Sequence, residues 1–303
     1  RHDTPSPWMN YLFNGELFTM ISQSGGNLSW YKSPEIWRIG RYNFYNLPVD
    51  VNGLFVYIKD ESTGEVWNPT IIPCDNKPDK WQSRHGLGYT KFFAEKDGLR
   101  VEVKAFIGKD NVLCYDVKLL SDRKRKLTLF ACHEMGLMEY LREVQWQCYC
   151  KNSNNILYNE ECDALVYEYF VDMQARPDET PFVYFCSNKK SSSYSGVRKS
   201  FTGNYRDLKN PIAVENGRRP NDELKGGEAM FSMSFELDLQ ANKAETLDIF
   251  LGALKPNEDL KETTDKLRGE NYVEKAFADL EKSWRDRLDV FSVDILPTTA
   301  RRE

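Results

Sequence analysis

The chain has 303 residues, 41% hydrophobic and 29% charged, with a formal net charge of −5. That length can bury one large core or two small ones. The acidic balance argues against a nucleic-acid partner, because a phosphate backbone calls for clustered Lys and Arg. No run approaches the roughly eighteen apolar residues of a membrane span, and the opening residues show no charged-then-apolar signal pattern. A cytoplasmic protein without membrane contact is therefore expected. The seven cysteines are odd in number, and several fall in strand-like runs, which fits reduced, buried thiols better than a disulfide framework.

In chain order, the run Pro7–Tyr31 contains Ser24-Gly25-Gly26-Asn27. These residues lack the Lys-Ser/Thr of a phosphate loop and lead into Leu28-Ser29-Trp30-Tyr31 rather than a helix, so they read as a hairpin turn. The blocks Trp37–Asp50, Tyr57–Pro69 and Arg84–Thr90 follow. Leu99, Val101, Val103, Ala105 and Ile107 then alternate with Arg100, Glu102 and Lys104, the period of a half-buried strand. Val112–Leu120, Leu127–Met135, Ala164–Phe170, Phe182–Ser187, Phe231–Leu239 and Glu245–Leu251 repeat that pattern. Lys96-Asp97-Gly98, Gly108-Lys109-Asp110-Asn111 and Asn216-Gly217 supply turns, and Arg123-Lys124-Arg125-Lys126 reads as a solvated hairpin turn.

The polar stretch from about Gln174 to Gly227 reads as long loops. A dozen or more strands with almost no helix between them predict a large antiparallel β-sandwich, a mostly β fold. After Leu254 the period changes. Pro256 suits the first turn of a helix, with Leu260, Thr264 and Leu267 at helical spacing. A second helix carries Val273, Ala276, Phe277, Leu280, Trp284 and Leu288 on one stripe. Phe291–Leu296 is strand-like. Two units result, a sandwich over 1–254 and a helical linker over 255–303.

Few residues qualify for chemistry. His2, His85 and His133 are the only histidines, so a Ser-His-Asp triad or a three-histidine metal site is not expected. Cys148 and Cys150 lack a second pair at zinc-ligand spacing, so no metal is expected either. His85, in Arg84-His85-Gly86-Leu87-Gly88-Tyr89, could open onto a cleft, although a hydrogen-bonded histidine at a tight turn is the plainer reading. His133 sits on a strand. Arg38, Arg41 and Asp50 flank Tyr42, Phe44 and Tyr45, and such a set can grip sugar hydroxyls or form an ion-paired surface against another domain. The 46 Asp and Glu are too many for spacing to single out an acid/base couple.

Pro7-Trp8-Met9-Asn10-Tyr11, Gly25-Gly26, Arg38-Ile39-Gly40-Arg41-Tyr42, Pro48-Val49-Asp50 and Arg84–Thr90 resemble, in order and spacing, the opening of the disaccharide phosphorylases of glycoside hydrolase family 94. The likeness is dense over about residues 7–107 and looser beyond. It implies an N-terminal β-supersandwich of the galactose-mutarotase-like kind, a helical linker, an (α/α)6 barrel and a small C-terminal sheet domain. It also implies cleavage of a β-glycosidic bond by inorganic phosphate with inversion, releasing an α-sugar 1-phosphate. Phosphate would be a co-substrate, with no cofactor. The general acid and the phosphate cradle would belong to the barrel, which lies outside this chain, so none of the catalytic residues is expected here.

On this reading the chain shapes one wall of the active site, contacts oligosaccharide and the barrel, and supports a homodimer. Arg38, Arg41, Asp50 and His85 are the residues expected to face the barrel or the substrate cleft. Two other readings stand beside it: a free-standing carbohydrate-binding sandwich, and a mutarotase-like aldose epimerase using a histidine and a carboxylate.

Overall fold

The computed structural model describes residues 4–41, 52–169, 179–217 and 220–290. Asp50, Tyr42, Phe44, Tyr45 and the Phe291–Leu296 run lie outside the described residues. The chain builds two large sheets in turn. Strands β1 (Met9–Asn14), β2 (Leu17–Ser22), β3 (Asn27–Tyr31), β4 (Arg38–Gly40), β5 (Leu54–Asp60) and β6 (Val66–Trp67) open the first. The second begins with β7 (Lys80–Gly86), β8 (Tyr89–Lys96), β9 (Leu99–Gly108) and β10 (Val112–Ser121).

β11 (Arg125–Met138) returns to the first sheet, followed by two short helices, α1 (Tyr140–Gln145) and α2 (Gln147–Cys150). β12 (Asn154–Asn159), β13 (Ala164–Tyr169) and β14 (Phe182–Ser187) extend the second. β15 (Ser193–Val197), α3 (Arg198–Thr202), α4 (Ile212–Glu215), β16 (Asn221–Asp222) and β17 (Leu224–Lys225) follow, then the long β18 (Ala229–Leu239) and β19 (Ala244–Leu254). Helices α5 (Leu260–Leu267) and α6 (Tyr272–Leu288) close the described chain.

Among the described residues the first sheet has ten strands in the order β1-β2-β3-β4-β11-β18-β15-β16, with β5 and β6 branching from β11. The second has nine, in the order β17-β12-β13-β14-β19-β10-β9-β8-β7. Nearly all pairings are antiparallel, so the expected sandwich is present. β11 is long enough to hold two neighbours in tandem: β5 along Leu127–His133 and β4 beside Met135 and Met138. Gly136 lies at the switch. A Cβ there would stand 3.1 Å from the carbonyl oxygens of Arg38 and Gly40, so glycine eases the close approach of β11 to β4.

Turn chemistry sets several registers. Asp97 and Gly98 both have positive φ (47° and 76°), the requirement of a tight two-residue hairpin, and join β8 to β9. The residues 23–26 join β2 to β3 as a hairpin. The Arg123–Lys126 run behaves differently from the expected hairpin turn. β10 and β11 belong to different sheets, so this run carries the chain across the sandwich. Arg125 is held there by Asp60 (2.9 Å) and Ser121 (3.0 Å).

One core fills the space between the sheets, including Val101, Val103, Leu129, Phe185, Phe231 and Leu251. Two further clusters cover outer faces. On the first sheet, Phe201, Leu208, Ala213 and Val214 from the α3–α4 segment pack on Phe55, Tyr57, Phe130 and Met230. On the second, Val273, Phe277, Leu280 and Trp284 of α6 and Leu267 of α5 pack on Phe106, Cys114, Tyr184 and Phe250. The helical stripe thus finds its partner in the nine-stranded sheet. α5 starts at Leu260, later than Pro256, because the Asp259 carboxylate caps it by accepting from the Glu262 amide (2.9 Å).

Candidate functional site

The first four strands place one of the singled-out residues, Arg38, in a row with aromatic side chains, and Arg41 follows directly after β4. Cross-strand partners in a sheet present their side chains on the same face. The register pairs Phe13 with Phe18, Phe18 with Trp30, and Trp30 with Arg38, so these four residues form one row across the outer face of β1–β4. The core side is taken by Leu12, Leu17, Ile21, Tyr31 and Ile39. Neighbouring rings in the row lie nearly parallel, with centroids 5.9 Å apart for Phe13–Phe18 and 5.6 Å for Phe18–Trp30. At that spacing rings overlap partly face to face. The row therefore offers edges more than open faces, a geometry better suited to packing against protein than to stacking a sugar.

Exposure follows the row. Trp8 (69%), Tyr11 (63%) and Phe13 (39%) are exposed at its β1 end. There the α6 ring of Trp284 stands edge-on to Phe13, centroids 6.2 Å apart, and α6 ends close by in exposed Leu288 and Val290.

His85 lies at the rim of this end. Its Nε2 stands 3.1 Å from the Trp8 carbonyl oxygen and its Nδ1 3.0 Å from the Thr90 hydroxyl. Burial holds its pKa below the usual histidine value, opposed by the hydrogen bond to Trp8. Asn10 reinforces the junction, its amide donating to the carbonyls of Gly86 (3.1 Å) and Tyr89 (2.9 Å).

The opposite end of the row is a buried ion-pair corner. Arg38 is only 2% exposed and bonds Glu143 of α1, while its guanidinium lies 5.5 Å from the centre of the Tyr140 ring. Arg41 bonds Glu134 at 2.9 Å and approaches Glu143 at 3.7 Å, and Arg198 of α3 bonds the same Glu134 oxygen at 2.9 Å. Burial raises the Glu143 pKa, and the two arginines oppose that shift. Arg38 thus acts as a strut holding α1 against β4, and it does not offer its charge to solvent. Arg41 remains partly exposed at the edge of a narrow cleft with Lys151, Asn154 and Glu228.

The structure brings Arg38 and Arg41 together and sets His85 apart, on β7 of the other sheet, where it meets the Trp8 carbonyl just before β1. His133 is elsewhere. It is 1% exposed, neither ring nitrogen has a partner among the described residues, and burial drives its pKa down to about 3. A neutral, enclosed imidazole cannot act on a sugar, and the two internal histidines stand on strands of different sheets. No cluster of three or more His, Cys, Asp or Glu with metal-binding geometry occurs among the described residues. Six of the seven cysteines are buried thiols, with Cys148 exposed.

Two features escaped the sequence reading. One is the aromatic row, whose only signal was aromatics at alternate positions of three short consecutive strands. The other is a wide cleft of about 590 Å³ lined by Arg198, Tyr205, Arg206, Gly227 and Glu228, within the stretch read as loops.

Comparison with known proteins places these elements. The family model for the supersandwich domain of glycosyl hydrolase 94 matches residues 1–270. An N,N'-diacetylchitobiose phosphorylase of Vibrio furnissii is 30% identical over 302 residues, 97% of this chain and 36% of that protein. A solabiose phosphorylase of Paenibacillus borealis is 26% identical over 289 residues, 91% of this chain and 36% of its own length. A GalM/aldose epimerase homologue from C. elegans aligns over 83% of this chain and 100% of its own, at 10% identity and a TM-score of 0.46. The chain thus spans about a third (36%) of the length of the first curated relatives it matches. With the resemblance in its opening blocks and its two-sheet architecture both accounted for, the chain belongs to the glycosyl hydrolase 94 family, whose supersandwich domain it carries over residues 1–270.

Proposed function

We propose that this chain is the sandwich wall of an inverting β-glycoside phosphorylase, whose catalytic part is a separate helical portion of a longer polypeptide. The family match over residues 1–270 carries this reading, and the relatives' roughly threefold greater length supports it. In the reaction proposed for the whole enzyme, inorganic phosphate attacks the anomeric carbon of a disaccharide. An acid of the catalytic part protonates the leaving oxygen, and an α-sugar 1-phosphate departs. Phosphate is itself the nucleophile, so the second carboxylate that an ordinary inverting glycosidase needs to activate water has no counterpart.

The sandwich contributes position. The outer face of β1–β4, bounded by His85 at one end and by Arg38 and Arg41 at the other, is the surface we assign to the catalytic part. The aromatic row is only half covered, and α6 ends beside it. Asp50 is assigned to the same surface on its place in the sequence block. A homodimer and a cytoplasmic setting complete the proposal. No described helix is long and apolar enough to cross a membrane.

The test is phosphate-dependent release of sugar 1-phosphate from cellobiose or N,N'-diacetylchitobiose. The 303-residue chain alone is expected to release none, and the longer polypeptide containing it to release it only when phosphate is present. Turnover by the chain alone would sink the proposal, and so would phosphate-independent hydrolysis by the longer form. Anomerisation of free glucose by the chain would favour the epimerase reading, against which the enclosed His133 already speaks.

A further inference from the structure

The wide cleft beside α3 lies outside the face just assigned, yet it joins the Arg41 corner through Gly227 and Glu228, which line both clefts. Helix α3 stops at Gly203, whose φ of +91° turns the chain outward. Two residues on, Tyr205 also has a positive φ (61°) and is the most exposed large hydrophobic side chain described, at 107%. A left-handed backbone is unfavourable for a bulky residue, by about 1 kcal/mol or more. Here no packing offsets that cost. A strained, fully exposed aromatic at the lip of a cleft is the signature of a surface shaped for a ligand.

The opposite wall favours the same reading. Gly226 and Gly227, with φ of +74° and +137°, present bare backbone to the cleft. The charged groups along it are held by partners. Arg198 is held by Glu134 at 2.9 Å, Glu228 by Lys151 at 2.7 Å, and Arg206 by Glu215. Each arginine is matched by an anion, and Lys199 adds one further positive charge. Such a cleft carries fixed hydrogen-bond donors and acceptors but little net charge. It is built for a neutral polyol, and a phosphate would find its arginines already neutralised. Its volume of about 590 Å³ falls in the range of small-molecule sites, about 300–1,000 Å³.

We propose that this cleft binds a neutral pyranoside. One sugar ring stacks on Tyr205, and its hydroxyls bond the Arg198 guanidinium and the Glu228 carboxylate. This rests on the phosphorylase reading only for the class of sugar. The cleft would be a subsite for a sugar unit held apart from the bond being broken.

Titration of the 303-residue chain with cellobiose and with N,N'-diacetylchitobiose, followed by NMR shifts or calorimetry, tests it, with inorganic phosphate as control. Saturable binding of at least one disaccharide is expected, weakened tenfold or more by Tyr205→Ala and largely kept by Tyr205→Phe. Glu228→Gln should weaken binding without lowering the melting temperature by more than a few degrees. Absence of binding by the wild-type chain would overturn the proposal. So would binding that Tyr205→Ala leaves unchanged, or displacement of sugar by phosphate. Because the readout is binding by this chain, the result stands apart from whether the longer polypeptide performs phosphorolysis.

Discussion

The outer faces of the two sheets are built from similar alternating strands and end up differently. On the nine-stranded sheet, α5 and α6 bury Phe106, Cys114, Tyr184 and Phe250 completely. On β1–β4 of the ten-stranded sheet, Phe13, Phe18 and Trp30 stay partly exposed, and α6 reaches the row at Phe13 through the ring of Trp284. An apolar face needs a cover, and here one face finds it within the described chain. The difference therefore separates residues that hold the domain together from residues available to something else.

Four substitutions probe the contrast between the two faces. The largest effect should come from the covered face. Phe250→Ala removes a fully buried ring beneath α6 and should cost about 3–5 kcal/mol in urea unfolding. A loss below about 1 kcal/mol would mean that the helices are not holding that face. Next, Arg38→Ala leaves Glu143 buried without its main partner and should cost about 3 kcal/mol. Pairing it with Glu143→Leu should recover a good part of that loss, and no recovery would exclude the strut role.

The third experiment concerns charge under α6. Asp248 stands cross-strand from Asp116, which bonds Lys104 at 2.9 Å, and Lys104 lies 4.1 Å from the centre of the Phe277 ring. Burial, and then repulsion from Asp116, push the Asp248 carboxyl up to about 7. In the unfolded chain it titrates near ~4. Between those values the folded state holds a proton that the unfolded state has released, so stability falls as pH rises from about 4 to about 7, then levels off. After allowance for partial exposure, the fall is on the order of 2 kcal/mol. Asp248→Asn should remove it, leaving the variant more stable than wild type at pH 8 but not at pH 4. Parallel curves for the two proteins would count against it.

The smallest effect is expected on the open face. Trp30→Ala should change the stability of the 303-residue chain by about 1 kcal/mol or less. In the longer polypeptide it should weaken assembly with the catalytic part and lower phosphorolysis. Equal loss in both forms would mean that the row is simply core.

Much of this was legible in the residues. Period two in Leu99–Ile107 and Phe231–Leu239, the Asp97-Gly98 turn and the stripe from Val273 to Trp284 each report a local rule that tertiary packing leaves intact. The failures have equally local reasons. β15 reads as Ser-Tyr-Ser-Gly-Val, too polar for a strand, but its serines pair with serines of β18, Ser193 lying 2.6 Å from Ser234. Helix α1 is six residues long and is pinned by Arg38, a contact over 105 positions that no spacing reveals. The Arg123–Lys126 run has turn chemistry, yet residue type alone does not say whether a turn folds a strand back or sends it to the other sheet. The candidate site was half readable. Arg38, Arg41 and His85 stood out as residues, whereas the row that joins Arg38 to Trp30, Phe18 and Phe13 exists only through the register of β1–β4.

The docking of α6 also has a consequence in time. Its contacts join the end of the chain to much earlier residues, as in Tyr272 to Asp110 across 162 positions and Lys109 to Asp279 across 170. Contacts so distant in sequence form late and slowly. During synthesis, Phe106 and Tyr184 leave the ribosome long before the helix that shelters them. Until about residue 288 has emerged, the nascent domain carries an unsheltered apolar sheet, and that interval is when it most needs a chaperone.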